Sequence, residues 1–492
     1  MHCLKIPRPF NCSLSLIPPR NSVPPIPRHF PYTRFLDMSV EISSAPLIQQ
    51  RRSRLAILLA WVVILGLAGR IVYSNARAGE SPAVQRLMSD ERARMFGMLA
   101  VQMMGLQQDS AAASALVRQR LSTLIEQLEE DAHTAEDRIR IAILTAESFG
   151  VDVGLQKLSS ISEAEVNDAA GQDIRSLRAI YSAGGATGLS AAAREELVLH
   201  HGYLGRLALA HGVPPDQEPR KTLQSEAFWF TVRLTAVGVG LMIVMGVSVA
   251  AFVLACVWLA RGRLKAAYPT PTSDGGAFLE GFAIYLVLFV ALGVGLRYFG
   301  PVSLQWHWLA LAILPIVWMW TTLRGTTSEE RKQAFGWTRG RGFIREVGAG
   351  LGGYLAGLVV IAIGCLVTLV LVRITGAQAS SPIVQELGGG PWRLAGLYAM
   401  ACIFAPFMEE TMFRGILFHH LRQRWSWIVT AVIVSVIFAM LHPQGWVAVP
   451  ALSAIAMVLS ALREWRGSLI APMAAHACNN FLVLTLALLF LR

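Results

Sequence analysis

The stretch VGAGLGGYLAGLVVIAIGCLVTLVLV, residues 347–372, contains no charged side chain and is almost wholly apolar. As an α-helix it would be about 39 Å long, which exceeds the roughly 30 Å of hydrocarbon in a bilayer. In lipid, only a helix or a closed barrel satisfies the hydrogen bonds of the backbone. A continuous apolar run of this length therefore predicts a transmembrane α-helix.

Eight further apolar runs occur along the 492-residue chain, at residues 55–73, 234–260, 277–296, 305–323, 394–421, 427–441, 446–462 and 468–491. Hydrophobic residues make up 54% of the chain and charged residues 15%, whereas soluble proteins average about 25% charged residues. The sequence thus predicts an all-α, polytopic membrane protein with about nine transmembrane helices.

Residues 74–226 differ from the rest of the chain, because they are polar, rich in alanine and helical in their apolar period. We expect a soluble helical domain that is inserted after the first transmembrane helix. His200 and His201 are expected on its surface. Residues 234–323, which follow it, are expected to form accessory transmembrane helices.

Residues 1–50 are rich in Pro and Arg and show no helical or strand period. We expect this stretch to be disordered, or to be a mis-assigned start with Met38 as the initiator. The run at 55–73 follows basic residues and carries no small-residue cleavage site, so it is expected to be an uncleaved signal anchor.

Most Lys and Arg residues of the short loops fall in one alternate set, whereas the opposite loops hold only Arg297, Arg373 and Arg393. The excess of positive charge marks the cytoplasmic side. We expect a cytoplasmic N-terminus, an extracytoplasmic 74–226 segment and an integral location in a bacterial inner (plasma) membrane. The net charge of +11 is explained by these loops, so nucleic acid is not an expected partner.

Ionisable side chains inside a membrane helix are costly and are functional candidates for that reason. The last third of the chain holds three groups of polar residues within apolar runs, and their members are Glu409, Glu410 and Arg414; Phe438 and His442; His476 and Asn480. Within each group, residues four apart share one helix face. Glu409 is turned about 100° from Glu410 around the helix.

The three groups are predicted to reach the same depth. Counted along helices from the turn near Arg424, Glu409 lies roughly 22 Å away and His442 roughly 24 Å. His476 and Asn480 lie roughly 15 and 21 Å from Arg466. A carboxylate and an imidazole at one level can hold and deprotonate a water molecule, and a second His and an Asn amide can donate to an oxyanion. The arrangement is typical of a hydrolase.

The three groups resemble the motifs of one family. EETMFRG, FAMLH and HACNN are similar to the EExxxR, FxxxH and HxxxN motifs of the CPBP family, which includes the CAAX prenyl endopeptidases and the Abi bacteriocin-immunity proteins. The resemblance covers residues 347–491 and implies an intramembrane protease domain there. It implies that Glu409 and His442 activate water and that His476 and Asn480 form the oxyanion site. Glu410, Arg414 and Phe438 would support them.

The family is often described as metalloproteases, and the residues leave this point open. The chain has no HExxH motif, so a zinc site would have to be assembled from Glu409, His442 and His476. We prefer a mechanism without metal. The implied substrate is a membrane-associated peptide or protein, and the lipid bilayer is the second partner. The alternative function is that of a non-enzymatic membrane scaffold or bacteriocin-immunity protein.

Each polar residue also has a structural interpretation. Glu410 with Arg414 could be an ion pair, His442 could mark a helix end, His476 could be a packed histidine, and Asn480 could join two helices. The glycines Gly350, Gly352 and Gly353 predict close approach of helix backbones.

Overall fold

The structure is a computed structural model that describes residues 45–77, 82–105, 111–130, 132–162, 166–272, 276–298, 309–377 and 390–491. The expectations for residues 1–44, including Met38 as the initiator, lie outside this part. The described residues from Arg51 onward belong to one compact unit. Throughout the described ranges the regular structure is helical and no strand occurs.

The first helices are α1 (Ala45–Arg77), α2 (Pro82–Gly105), α3 (Ala111–Glu130), α4 (Ala135–Phe149), α5 (Val151–Ser159), α6 (Asp168–Ala183), α7 (Ala191–Leu209), α8 (Arg220–Ala260) and α9 (Ala277–Tyr298). Next come α10 (Ile313–Leu323), α11 (Ser328–Phe335), α12 (Phe343–Thr375), α13 (Pro391–Ala399), α14 (Ala405–Glu410), α15 (Phe418–Arg422), α16 (Trp427–Met440), α17 (Val449–Arg466) and α18 (Ile470–Leu491). Two π-helical segments, Met400–Phe404 and Thr411–Leu417, join α13, α14 and α15 into one continuous helix, here called the 391–422 helix.

Within the described ranges, six helices are long and apolar enough to cross a membrane: Arg54–Ser74, Arg220–Ala260, Ala277–Leu296, Phe343–Thr375, Trp446–Arg466 and Ile470–Phe490. Two shorter apolar helices, Leu309–Leu323 and Trp427–Met440, occupy further predicted runs. The ninth predicted run lies in the 391–422 helix, which carries buried charges and two π-helical segments. The chain is an all-α membrane protein, and the count of nine spans stays a prediction.

Helices α2 to α7 share a hydrophobic core that also includes Leu223, Ala227 and Phe230 from the start of α8. These three residues repeat every three to four positions and so line one face of α8. Helix α8 has 41 residues, which corresponds to about 61 Å. One unbroken helix therefore joins the polar helical region to a membrane-spanning segment, with no linker between them.

The expectation that His201 lies on the surface is wrong, because the residue is only 5% exposed. Its Nε2 lies 3.1 Å from Oδ2 of Asp173, and Nδ1 of His200 lies 2.8 Å from the same oxygen. Asp173 is itself buried. A buried carboxylate requires hydrogen-bond donors, and the two histidines supply them.

Glycines of α12 permit close contact with the helices that follow the 391–422 helix. A Cβ atom at Gly350 would lie 2.3 Å from the carbonyl oxygen of Ala471, and one at Gly353 would lie 2.4 Å from Leu462. A Cβ atom at Gly352 would meet no atom within 4 Å. The prediction of close packing is thus confirmed at Gly350 and Gly353, and Gly352 faces open space.

The basic ends of several helices meet in one polar cluster. Arg463 is fully buried and donates hydrogen bonds to the carbonyl oxygens of Arg414, Gly467 and Gln333. The neighbouring loops are joined by three further contacts, Arg422 with Glu464, Arg466 with Glu346 and Tyr268 with His419. Four loops that are expected on the cytoplasmic side from their positive charge therefore lie together at one end of the bundle.

The helical region α2–α7 lies at the other end. Helix α18 starts beside the polar cluster, and the carbonyl oxygen of Phe490 near its end accepts a hydrogen bond from Arg94 of α2. The ring of Phe490 also contacts Phe230 of α8. The last membrane helix thus connects the basic end to the polar helical region.

Candidate active site

Three helices bring the polar residues of the last third of the chain together. The 391–422 helix carries the two adjacent glutamates, His442 lies two residues after the end of α16, and α18 carries His476. Side chains of adjacent helical residues point in directions about 100° apart, so Glu409 and Glu410 face different surroundings. Glu410 is fully buried, whereas the side chain of Glu409 is 25% exposed.

Glu409 lies between the two histidines. Its Oε2 atom is 3.8 Å from Nε2 of His442 and also 3.8 Å from Nε2 of His476. This oxygen is buried and accepts no hydrogen bond from any protein group in the described ranges. The side chain of His442 is 20% exposed, and that of His476 is 6% exposed. Three atoms, one from the 391–422 helix, one from the turn after α16 and one from α18, therefore surround a partly open site.

The backbone of α16 sets the proton position on His442. Nδ1 of His442 lies 2.7 Å from the carbonyl oxygen of Phe438. Because a carbonyl oxygen can only accept, Nδ1 carries the proton. In the neutral ring Nε2 is then the basic nitrogen, and this is the atom that faces Glu409. Phe438 supports the ring from one side, with a distance of 4.2 Å between ring centroids.

Glu410 binds a different nitrogen of His476. Its Oε1 atom is 2.8 Å from Nδ1 of His476 and 2.9 Å from Nη1 of Arg414. Arg414 is fully buried, donates from Nη2 to the carbonyl oxygen of Ala456 and lies over the ring of Phe438. The predicted Glu410–Arg414 ion pair is present, and it also orients His476.

Asn480 lies one helical turn beyond His476 on α18. Its Nδ2 atom donates to the carbonyl oxygen of Ala401 at 2.8 Å, and Ala401 is in the first π-helical segment of the 391–422 helix. Its Oδ1 atom accepts from Nδ2 of Asn479, whose own Oδ1 accepts from the hydroxyl of Tyr354. Neither Asn479 nor Tyr354 was predicted from the sequence. The Asn479–Asn480 doublet was the only sequence signal, and Tyr354 is too distant in sequence to be recognised.

The atoms around Glu409 are of the kinds that zinc binds, namely one carboxylate oxygen and two imidazole nitrogens. Two ligands of a tetrahedral zinc ion lie roughly 3.3–3.4 Å apart, whereas Oε2 of Glu409 lies 3.8 Å from each Nε2. In the part of the chain that the structure describes, no group of three His, Cys, Asp or Glu side chains is arranged to hold a metal ion. The donor chemistry fits zinc, but the spacing in this structure does not.

Comparison with known proteins places these motifs in a family. Residues 391–482 match the family model described as Type II CAAX prenyl endopeptidase Rce1-like. The chain carries an Rce1-like domain. No curated protein and no solved structure matched the chain.

The Rce1-like domain contains all seven predicted site residues and both π-helical segments. The resemblance to the CAAX-protease family is thereby confirmed. The match begins after α12, so Tyr354 and the α2–α7 region lie outside it. Contacts between α12 and the candidate active site, such as that of Tyr354 with Asn479, therefore lie outside the family match.

Proposed function

We propose that the protein is an intramembrane endopeptidase that hydrolyses a peptide bond of a membrane-associated protein or peptide. One observation supports this most strongly: Oε2 of Glu409 faces Nε2 of both His442 and His476 at 3.8 Å, although the three residues lie in separate segments of the chain. Ionisable groups gathered in this way within a membrane bundle are expensive to bury. A scaffold protein would gain nothing from them.

In the proposed reaction, a water molecule binds between Glu409 and His442. A water oxygen about 2.8 Å from each partner can be accommodated between atoms that are 3.8 Å apart. Nε2 of His442 takes one proton from this water, which the carboxylate of Glu409 holds through a second hydrogen bond, while the water oxygen attacks the peptide carbonyl carbon. The same proton is then delivered to the amide nitrogen of the leaving peptide as the C–N bond breaks.

His476 and Asn480 are proposed to stabilise the oxyanion. Glu410, when ionised, only accepts hydrogen bonds, so Nδ1 of His476 donates to it. For Nε2 to donate as well, both ring nitrogens of His476 must carry a proton when the oxyanion forms. A donor aimed at a developing oxyanion is worth about 10²–10³ in kcat. The two histidines thus take opposite roles, His442 as base and His476 as donor.

We propose nine membrane spans, with the polar cluster around Arg463 on the cytoplasmic side and residues 74–226 outside a bacterial inner membrane. The burial of Arg463 between loops with most of the basic residues supports this orientation. Besides the six long helices, the Leu309–Leu323 helix, the 391–422 helix and α16 would be the three short or irregular spans. Polar backbone at membrane depth is tolerated where it lines a water-filled cavity, and the proposed reaction requires such a cavity at the site.

The test is cleavage by the purified full-length protein in detergent, with two sets of peptides: C-terminal CAAX-type peptides and bacteriocin-type leader peptides. Glu409→Ala, His442→Ala and the double variant are compared with wild type, and Glu329→Gln, an exposed carboxylate on α11, is the matched control. Because Glu409 and His442 act on one water, we expect each single variant to lose about as much activity as the double variant.

Each outcome has a distinct meaning. Cleavage that persists in the variants would refute the proposed site. Cleavage that is lost with a chelator and restored by zinc would replace the metal-free reaction with a metal-assisted one. A protein whose cellular role survives Glu409→Ala would be the non-enzymatic scaffold or immunity protein.

A further inference from the structure

We propose that Tyr354, Asn479 and the carbonyl group of Ala401 form a positioning relay that fixes the side-chain amide of Asn480 for oxyanion binding. This inference rests on the proposed function, and it adds residues of α12 and of the first π-helical segment to the site. The relay acts through Asn480, so its members are positioning residues.

The first part of the relay is the carbonyl oxygen of Ala401, which the backbone of the 391–422 helix leaves available as an acceptor. In the π-helical segment the N–H of Ala405 donates to the carbonyl oxygen of Met400, five residues earlier. The next residue is Pro406, which has no backbone N–H and so cannot donate to Ala401. The carbonyl oxygen of Ala401 instead accepts from Nδ2 of Asn480 at 2.8 Å. A proline and a π-turn together therefore create a binding point for a side chain on α18.

The second part is a chain of amides with a defined direction. The hydroxyl of Tyr354 donates to Oδ1 of Asn479 at 3.1 Å, and Nδ2 of Asn479 donates to Oδ1 of Asn480 at 3.2 Å. Asn479 is 9% exposed and Tyr354 is 7% exposed. A buried amide that turned over would place two acceptors or two donors against each other and leave both groups without a hydrogen-bond partner.

The two parts determine which atoms Asn480 can offer to a substrate. Its Oδ1 is occupied by Asn479, and one hydrogen of Nδ2 is occupied by Ala401. The second hydrogen of Nδ2 is the group that the relay can direct toward an oxyanion. If the amide were reversed, an oxygen would face the oxyanion and repel it. The relay therefore ensures that Asn480 presents a donor.

The experiment is a double-mutant cycle on the full-length protein with the peptide that the wild type cleaves. Tyr354→Phe removes only a hydroxyl, and Asn479→Leu removes the amide. Tyr398→Phe is the matched control, because its hydroxyl also bonds to α18, at Thr485, but does not touch the asparagine amides. Each change is made in the wild type and in Asn480→Ala, and kcat, KM and the thermal unfolding temperature are measured.

We expect Tyr354→Phe and Asn479→Leu to lower kcat about ten-fold or more with KM nearly unchanged, and to have no further effect once Asn480 is Ala. Tyr398→Phe should leave kcat unchanged. If the two variants match wild type, or if they lower kcat equally in the Asn480→Ala background, the relay is refuted. If Asn480→Ala keeps full activity while Glu409→Ala abolishes cleavage, both the relay and the oxyanion role of Asn480 fail but the Glu409 reaction stands.

Discussion

Nδ1 of His476 lies 2.8 Å from Oε1 of Glu410, and the two residues are 66 positions apart in the chain. The same oxygen binds Arg414, four residues after Glu410. A carboxylate that would otherwise belong to a structural ion pair within one helix thus also orients a histidine of the site. Glu410 has two roles, one in stability and one in the position of His476.

Glu410→Gln should therefore impair both stability and catalysis. The fully buried guanidinium of Arg414 would lose its counter-charge, which costs about 3–5 kcal/mol in a buried pair. His476 would lose the carboxylate that holds its Nδ1, and a displaced oxyanion donor should lower kcat by up to about 10²–10³-fold. Thermal unfolding in detergent and kcat for peptide cleavage measure the two effects. An unfolding temperature and a kcat equal to those of Glu329→Gln would contradict both roles.

Pro406→Ala should make the protein no less stable and yet less active. A proline within a helix costs about 3 kcal/mol relative to alanine, so its removal favours the helix. The new N–H can bind a carbonyl group of the preceding turn and compete with Asn480 for Ala401. We expect kcat to fall about ten-fold with KM unchanged. Pro450→Ala at the start of α17, where a missing N–H has no consequence, is the control and should retain activity. Full activity in Pro406→Ala would show that the carbonyl of Ala401 does not matter.

Gly350→Ala and Gly352→Ala should differ sharply although the residues are two positions apart. A Cβ at Gly350 would overlap the backbone of Ala471 on α18, whereas a Cβ at Gly352 meets nothing. Overpacking typically costs about 1–3 kcal/mol, and the displacement of α18 would also move His476. We expect Gly350→Ala to lower the unfolding temperature and the cleavage rate, and Gly352→Ala to match wild type. Equal behaviour of the two variants would mean that α12 and α18 are not in close contact.

The cluster of Asp173, His200 and His201 should make the stability of the α2–α7 region decrease in acid. Burial raises the pKa of Asp173, but hydrogen bonds from His201 and His200 outweigh it and hold the pKa below its usual value. Burial lowers the pKa of His201, and Asp173 only partly opposes this. Both groups bind protons more readily when unfolded. Their contribution to stability is therefore complete above about pH 6.5, the ordinary value for histidine, and decreases as the pH falls.

Hydrogen exchange of the full-length protein can measure this effect at pH 7.5 and pH 5.5, after correction for the intrinsic exchange rate. Amides of α6 and α7 should lose protection at the lower pH, while those of α12 should not. In Asp173→Asn the difference between the two pH values should become larger, because Asp173 raises the pKa of His201 and its loss lets burial lower that pKa further. Equal protection of α6 and α7 at both pH values would show that the cluster does not control this region.

The amino-acid sequence alone indicated the class of fold and the family. Long apolar runs are sufficient for this, because lipid allows only helices that satisfy their own hydrogen bonds. The three motifs indicated the family because they resemble its EExxxR, FxxxH and HxxxN patterns. The predicted surface position of His201 failed because the pattern of a polar helix does not show that a carboxylate of another helix, Asp173 on α6, is buried against it.

Only the tertiary structure decided how the motifs combine. Helical spacing relates residues within one helix, but it does not determine that Glu410 contacts His476, or that Glu409 faces two histidines at the same distance. It also does not reveal the relay from Tyr354, because that contact depends on α12 packing against α18 through Gly350. The sequence by itself determined which side chains are available and on which helix faces they lie. Their partners across the bundle depend on helix packing, which is set by contacts between residues distant in sequence.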